Sequence, residues 1–426
     1  MATTVAAMVV GLAAMPTGAI TSAQDQYLEV PVQETGRVLV VADGDTFRFI
    51  PDGQTDYLTV RLLGVNTPEV RGFYNSNREK DMCGGVEATD VLKSVLPPGT
   101  RVQLRSLDPS SESLGRLQRY AFAWNPVTEQ YDIDVQAVVA QSGLAMWFTV
   151  KNEPALAYQY RVMIAQTQLE GKGIWNPLYC GPLEQADAAV SVIVNWDAPG
   201  NDNENINGEF VIVRNIGDKD VNLSGWLMRD SSLTAWFYLP EGTLLSPRDY
   251  RVVHAGVGQN GFPNPRDLYM GSVTALFPNP EPGKFLGDGA YLLDRNTAMR
   301  SYYEYPCVLD CSDPLQGVVR ISAVNAVSTA NTLAKRANEE YIKLKNTGAT
   351  AVLLDGYYLR RGLSTYPFLT DTVIAPGKTL TVRIGKGTPT QTTQYWGQSS
   401  TLLNDSKDRV ALLSNTNVTI SAKAWG

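Results

Sequence analysis

The sequence repeats itself, and the repeat decides the architecture of more than half of the chain. EFVIVRNIG at 209–217 matches EYIKLKNTG at 340–348, and VNLSGWLMRD at 221–230 matches VLLDGYYLRR at 352–361, both at an offset of 131 residues. The likeness continues with LLSPRDYRVV against VIAPGKTLTV and GDGAYLLD against SKDRVALLS. Chance similarity between β-rich segments does not hold one register across two such blocks. Each copy alternates short runs of β-branched and aromatic residues with Gly, Pro or Asp turns, which is the pattern of a β-sandwich. Two sandwiches are therefore expected, over 187–312 and 317–426.

Ahead of the repeat the pattern changes. Residues 37–63, RVLVVADGDTFRFIPDGQTDYLTVRLL, set β-rich runs around two Asp-Gly pairs, as a meander does. Residues 86–96 place Ala88, Leu92, Val95 and Leu96 on one helical face and stop at Pro97 and Pro98. Further strands are expected at 101–105 and 119–124. Helices are expected near 132–142 and 154–171, the latter entered through Pro154 and left at Gly171 and Gly173. This mixture predicts a small strand-dominated barrel carrying helices, over 37–180, and no helix is expected beyond about 187. The composition agrees: of 426 residues 19% are charged, with 36 Gly and 24 Pro, a balance of strands and turns rather than long surface helices.

The chain holds a single histidine, His254, on the apolar run RVVHAG, where it reads as a packed strand-end residue. One imidazole excludes a Cys2His2 zinc site and a His-based two-metal cluster, so any chemistry here rests on carboxylates, arginines, hydroxyls or a hard cation. The four cysteines, Cys83, Cys180, Cys307 and Cys311, suit two disulfides in an oxidising compartment. Cys307 and Cys311 could also present two zinc ligands, but no third or fourth is in sight. A Cys83–Cys180 bridge would close a loop worth roughly 4–5 kcal/mol by chain entropy. Residues 1–30 resemble a signal peptide and leader: the apolar run VAAMVVGLAAM precedes Pro16, Gly18 and small residues, without a basic n-region. Export is expected to follow.

The formal net charge is −7, against a uniformly basic coat for nucleic acid. The charge is uneven: residues 316–426 carry 13 basic and 6 acidic groups, whereas 181–315 carry 9 and 18. The positive C-terminal segment is expected to have some affinity for polyanions.

DGDT at 43–46, RLLGVNTPE at 61–69, CGGVEA at 83–88, Gly115-Arg116 and GKGIW at 171–175 form an ordered set that resembles the staphylococcal nuclease (thermonuclease) family over about 37–176. The resemblance implies an OB-fold five-stranded β-barrel with helices, hydrolysing DNA and RNA phosphodiesters with one Ca2+. It implies Asp45, Asn66 and Thr67 as the metal-ligand positions, Glu69 as general base or water orienter, and Arg61 and Arg116 as the phosphate-binding arginines; Asp43, two residues before Asp45 and so on the same face of a regular strand, is expected as a supporting carboxylate through water. The chemistry is coherent. Ca2+ takes six to eight oxygens, and planar guanidiniums grip phosphate bidentately. Asn66 stands where the family carries a second calcium carboxylate, so weaker metal binding is expected. The lysine and tyrosine positions near the terminal phosphate do not line up, with Ser113 and WFTVK at 147–151 there instead.

The duplicated part is similar to lamin-tail domains, on EFVIVRNIG, LSGWLMRD and the turn at 239–247, which implies immunoglobulin-like sandwiches for binding or targeting. The expected fold class is thus multidomain and mainly β. The expected function is an exported calcium-dependent nonspecific nuclease, secreted or surface-associated, whose sandwiches engage an extracellular polymer or cell-surface partner. The alternative is a catalytically weak or inactive extracellular nucleic-acid-binding or adhesion protein. Asn222, Asn404 and Asn417 lie in glycosylation-type sequons that equally suit turns.

Overall fold

Alternation in the first meander buries one face of each strand. Phe47 and Phe49 on β2 (Thr46–Pro51) and Val60 and Leu62 on β3 (Leu58–Leu62) are fully buried. In this computed structural model, residues 30–71, 80–198, 201–232, 235–280, 287–362, 364–368, 371–414 and 418–426 are described; residues 1–29 of the expected signal segment, and Asn417, lie outside them. The remaining N-terminal strands are β1 (Val32–Val41), β4 (Val65–Asn66), β5 (Arg101–Arg105), β6 (Glu112–Ser113), β7 (Arg116–Asn125), β8 (Gln130–Asp134) and β9 (Met146–Trp147). Strands β3-β2-β1-β5-β7 pair in succession, and β3 also pairs with β7 in parallel, Arg61 opposite Gln118, so the five pairings form a closed cycle. Gly36 is required where β1 meets β2, since a Cβ there would strike the Ile50 carbonyl oxygen.

Three helices pack on this sheet. In α1 (Gly85–Val95), Ala88 and Leu92 face the core, and the helix stops before Pro97. Helix α2 (Val135–Gln141) is capped by Asp134, whose carboxylate accepts from the Ala137 amide at 2.9 Å. Helix α3 (Ala157–Leu169) buries Tyr160 and Ile164. Trp147 and Tyr120 are fully buried and Trp175 nearly so, as core aromatics.

Each sandwich sets a four-stranded sheet against another. In the first, Val190–Asn195, Phe210–Asn215, Tyr250–His254 and Asp267–Tyr269 face Trp236–Tyr238, Leu227–Asp230, Asp288–Leu293 and Met299–Tyr305. The second repeats this with Val319–Asn325, Tyr341–Asn346, Thr379–Arg383 and Thr393–Tyr395 against Ser364–Pro367, Tyr357–Arg361, Asp408–Ser414 and Thr419–Trp425. The repeated motif EFVIVRNIG/EYIKLKNTG now has a physical reason. Its first residue, Glu209 or Glu340, ties down a distant loop by accepting from the amides of Leu276 and Phe277 (2.7 and 3.3 Å) or Leu402 and Leu403 (2.8 and 3.2 Å). Its asparagine donates to Leu245 O from Asn215 (3.0 Å) and to Ile374 O from Asn346 (2.9 Å), and accepts from the glycine amide two residues on. One expectation fails: the second sandwich contains a helix, α4 (Leu333–Glu339), capped by the Thr332 hydroxyl. It lies between two strands of one sheet, where strand-period reading missed it.

Both disulfides form, Cys83–Cys180 and Cys307–Cys311, which leaves no free cysteine among the described residues and no place for zinc. His254 ends its strand with Nδ1 against Asn207 O (2.8 Å) and its ring stacked on Tyr269. Asn222 and Asn404 accept from the amide and hydroxyl of Ser224 and Ser406, so these two sequons are local turns. No helix among the described residues is long and apolar enough to cross a membrane.

The units stack in sequence through the same positions of the repeat. Leu227, Tyr291 and Leu293 of the first sandwich join the core of the N-terminal unit. Their counterparts by strand register, Tyr358, Ala411 and Leu413 of the second, join the core of the first. At the first junction Arg161 of α3 pairs with Glu304 at 2.8 Å, both almost wholly buried, and Glu304 also receives Gln168 and the Tyr291 hydroxyl. At the second, Arg214 meets Asp355 (2.5 Å) and Tyr250 donates to Asp371 (2.8 Å). Two outcomes follow. Glu304→Gln leaves the Arg161 charge buried without its counter-ion and costs about 3–5 kcal/mol in denaturant unfolding, whereas Arg161→Met with Glu304→Gln costs less. Burial raises the Glu209 carboxyl from 4.5 to about 8; the fold therefore holds that proton more tightly than the unfolded chain, and stability is lost as pH rises from about 4.5 through about 8. Thermal melts at pH 5 and pH 8 check this, with Glu209→Gln narrowing the gap by a few degrees.

Candidate functional site

Backbone pairing assembles the site from three segments. Thr46 lies opposite Arg61 across β2 and β3, which sets Asp45, the last residue of the bend before β2, beside the guanidinium. Asp45 Oδ1 meets Arg61 Nη1 at 2.8 Å and the Thr46 hydroxyl at 3.0 Å, while Oδ2 accepts from the Thr67 amide at 2.8 Å and its hydroxyl at 3.2 Å. Arg61 in turn donates to Val65 O (3.0 Å) and to Asn66 Oδ1 (2.9 Å), and its guanidinium lies over the Phe148 ring at 5.0 Å. All of these polar groups are buried. Charge neutralisation between Asp45 and Arg61, with both Nη groups of the guanidinium aimed at oxygens, is what makes that burial tolerable.

Asp43 differs from its expected placement. It lies in the bend before β2 rather than on the strand, where Oδ1 accepts from the Asp45 amide at 3.2 Å. Burial, then the charges of Asp45 and Glu69, push its carboxyl well above the usual carboxylate range against the pull of Arg61. Glu69 is half-buried at the end of the RLLGVNTPE segment, its carbonyl accepting from the Met82 amide (2.9 Å). Arg116 opens β7 two residues before Gln118, the register partner of Arg61, so by strand alternation it lies on the Arg61 face. Its Nε donates to Ser113 O at 3.3 Å. The structure thus joins Asp45, Arg61, Asn66 and Thr67 by direct bonds, sets Asp43 and Glu69 within electrostatic reach, and puts Arg116 on the flank.

The first sandwich lies over this group. Asn66 Nδ2 donates to the carbonyl of Ser231 at 2.5 Å. Ser231 is held from behind by Asp288, which accepts its amide at 3.0 Å and its hydroxyl; burial and the nearby Asp230 push Asp288 up to about 8. None of Asp230, Ser231 and Asp288 carries a sequence signal for this role, because the contact crosses 165 residues.

A calcium ion needs several convergent oxygens at 2.3–2.6 Å. Among the described residues no three carboxylate, histidine or cysteine groups converge to hold a metal. Both Asp45 oxygens and Asn66 Oδ1 are bonded to Arg61, Thr46 and Thr67, so a calcium ion would take these oxygens only by displacing the guanidinium.

Two comparisons bear on these units. Over 152 residues the chain is 28% identical to Endonuclease YhcR of Bacillus subtilis (strain 168), covering 34% of this chain and 12% of that protein. The chain thus spans a small fraction of that relative's length. The Lamin Tail Domain model matches residues 185–306 and 313–426, the two sandwiches built from the Glu209/Glu340 and Asn215/Asn346 anchors. More than half of the sequence lies in those two matches, and the chain belongs to the lamin tail domain family.

Proposed function

We propose that the N-terminal unit is an OB-fold, staphylococcal-nuclease-like hydrolase of DNA and RNA phosphodiesters in an exported protein, and that the two sandwiches target it to an extracellular polymer. The observation that carries this reading is the buried Asp45–Arg61–Thr67 junction, with Glu69 and Arg116 on the same side. The closed cycle of five strand pairings, the similarity to a protein named an endonuclease, and two disulfides suited to an oxidising compartment support it. In the proposed reaction Arg61 and Arg116 grip the phosphate and neutralise charge growing on its equatorial oxygens. Glu69 accepts a proton from the attacking water or aims it in line with the leaving oxygen. Asp45 and Asn66 hold the Arg61 fork in the plane that phosphate needs.

One observation favours the second reading, nucleic-acid binding or adhesion without turnover: Ser231 covers Asn66, and a phosphodiester reaches Arg61 only after that strand end draws back. Digestion of plasmid DNA and RNA by the full chain separates the two. Turnover is expected, with Glu69→Gln reducing it ~10² to 10⁴-fold and Arg116→Ala abolishing most of it; no cleavage by wild type under any divalent-metal condition would leave only the second reading. Calcium dependence is a separate part of the proposal. Asn66→Asp swaps the donor facing the Ser231 carbonyl for a carboxylate, which repels the cover and restores a negative ligand. This variant is expected to bind Ca2+ more tightly by calorimetry and to cleave faster than wild type, and EDTA is expected to stop both proteins.

A further inference from the structure

The internal duplication supplies its own control, because equivalent positions of the two sandwiches can be compared side by side. In the first copy Phe237, Leu268 and Met270 pack into the sandwich core at the side where the edge strands of the two sheets meet. Strand register makes Tyr366, Gln394 and Trp396 their counterparts. The last equivalence holds down to the backbone: the Met270 amide donates to His254 O and the Trp396 amide to Arg383 O. Three apolar core positions have thus become a phenol, an amide and an indole.

They line a groove of about 1210 Å³, beyond the roughly 300–1,000 Å³ of a typical small-molecule site. Its polar groups are held in place. The Tyr366 hydroxyl donates to Gln394 Oε1 at 2.8 Å, and Gln394 Nε2 donates to the Thr372 hydroxyl at 3.1 Å. Trp396 is 8% exposed, and its indole Nε1–H has no partner within the described residues. Asp197, from the first sandwich, closes one side and accepts from the Thr365 hydroxyl at 2.6 Å. Gln394 is half-buried, so its bonded amide keeps a fixed polar surface in the groove where the sister domain holds a buried leucine.

The geometry points to this groove as a binding site for a neutral polysaccharide chain. The half-buried rings of Tyr366 and Tyr395 in the lining offer flat surface for the C–H faces of sugar rings, while the amide, hydroxyl and carboxylate groups match the paired donors and acceptors of vicinal hydroxyls. The size suits several linked units. Charge selects against a phosphodiester, because Asp197 and Asp371 line the groove with Lys378 as its one cation among the described residues. The targeting role proposed above thereby acquires a ligand class and a position, and neither depends on whether the N-terminal site turns over.

Calorimetric titration of the full chain with cellohexaose, with chitohexaose, and with a decathymidine strand in EDTA tests the assignment. Saturable binding of at least one hexasaccharide is expected, undisturbed by decathymidine. Tyr366→Phe with Gln394→Leu installs residues that the same fold carries in its first copy. It is expected to weaken that binding at least about tenfold while leaving the melting temperature and the nucleic-acid digestion unchanged. If the pair lowers the melting temperature, Tyr366→Phe alone, which removes one hydroxyl, is expected to weaken binding several-fold. The assignment is overturned if neither hexasaccharide binds, if binding survives these substitutions, or if decathymidine binds and is the ligand they abolish.

Discussion

The ion pair between Arg161 and Glu304 is the contact on which the arrangement of the first two units depends. Two charges removed from water are tolerable only when geometry is tight and the remaining donors and acceptors are met. Gln168 and the Tyr291 hydroxyl complete the Glu304 carboxylate, whereas Arg161 lies over the Trp147 ring at 5.4 Å and its Nε and Nη1 meet no acceptor among the described residues. Such a pair carries a requirement for register more than a gain in stability. Helix α3 and the strand Met299–Tyr305 must stay in one alignment, and that alignment sets the Leu227–Asp230 strand, with Ser231 at its end, over Asn66.

The same reasoning explains the inside of the candidate site. Asp45, Arg61, Asn66 and Thr67 form a self-contained electrostatic unit, in which a guanidinium satisfies the oxygens that a metal ion would otherwise claim. Asn66 is the pivot. Its oxygen faces Arg61 and its amide nitrogen faces Ser231, so one side chain uses both ends of its dipole, and a carboxylate there could not do so. The position that departs from the nuclease resemblance is the one that meets the neighbouring sandwich.

Much of this was legible in the sequence where a short-range rule applied. Pro97 and Pro98 ended α1 as expected, and the repeated Glu and Asn of the two sandwiches marked anchors whose hydrogen bonds recur in both copies. Strand β7 begins at Arg116 rather than at 119 because Arg116 and Leu117 pair with Ser113 and Glu112, and Leu117 and Gln118 with Val60 and Arg61 of β3, partners that no residue pattern within 116–118 announces. Helix α4 had a readable cap at Thr332, yet it was hidden inside a strand-period region. The Ser231 contact, the Arg161–Glu304 pair and the polar groove around Gln394 were out of reach, since they join residues that no local period connects. Gln394 in particular became informative only beside Leu268.

The stacking of one unit on the next uses a heterologous contact, the kind that continues indefinitely if each new member offers the surface its predecessor offered. The first sandwich presents Phe210, Ile212, Tyr250 and Val252 on the sheet face that carries Arg214. At the matching positions the second sandwich presents Tyr341, Lys343, Thr379 and Thr381, with Lys345 in place of Arg214. A wettable end of this kind is what terminal members of repeat proteins need for solubility. A further sandwich could therefore not seat on the second copy in the way that the second seats on the first.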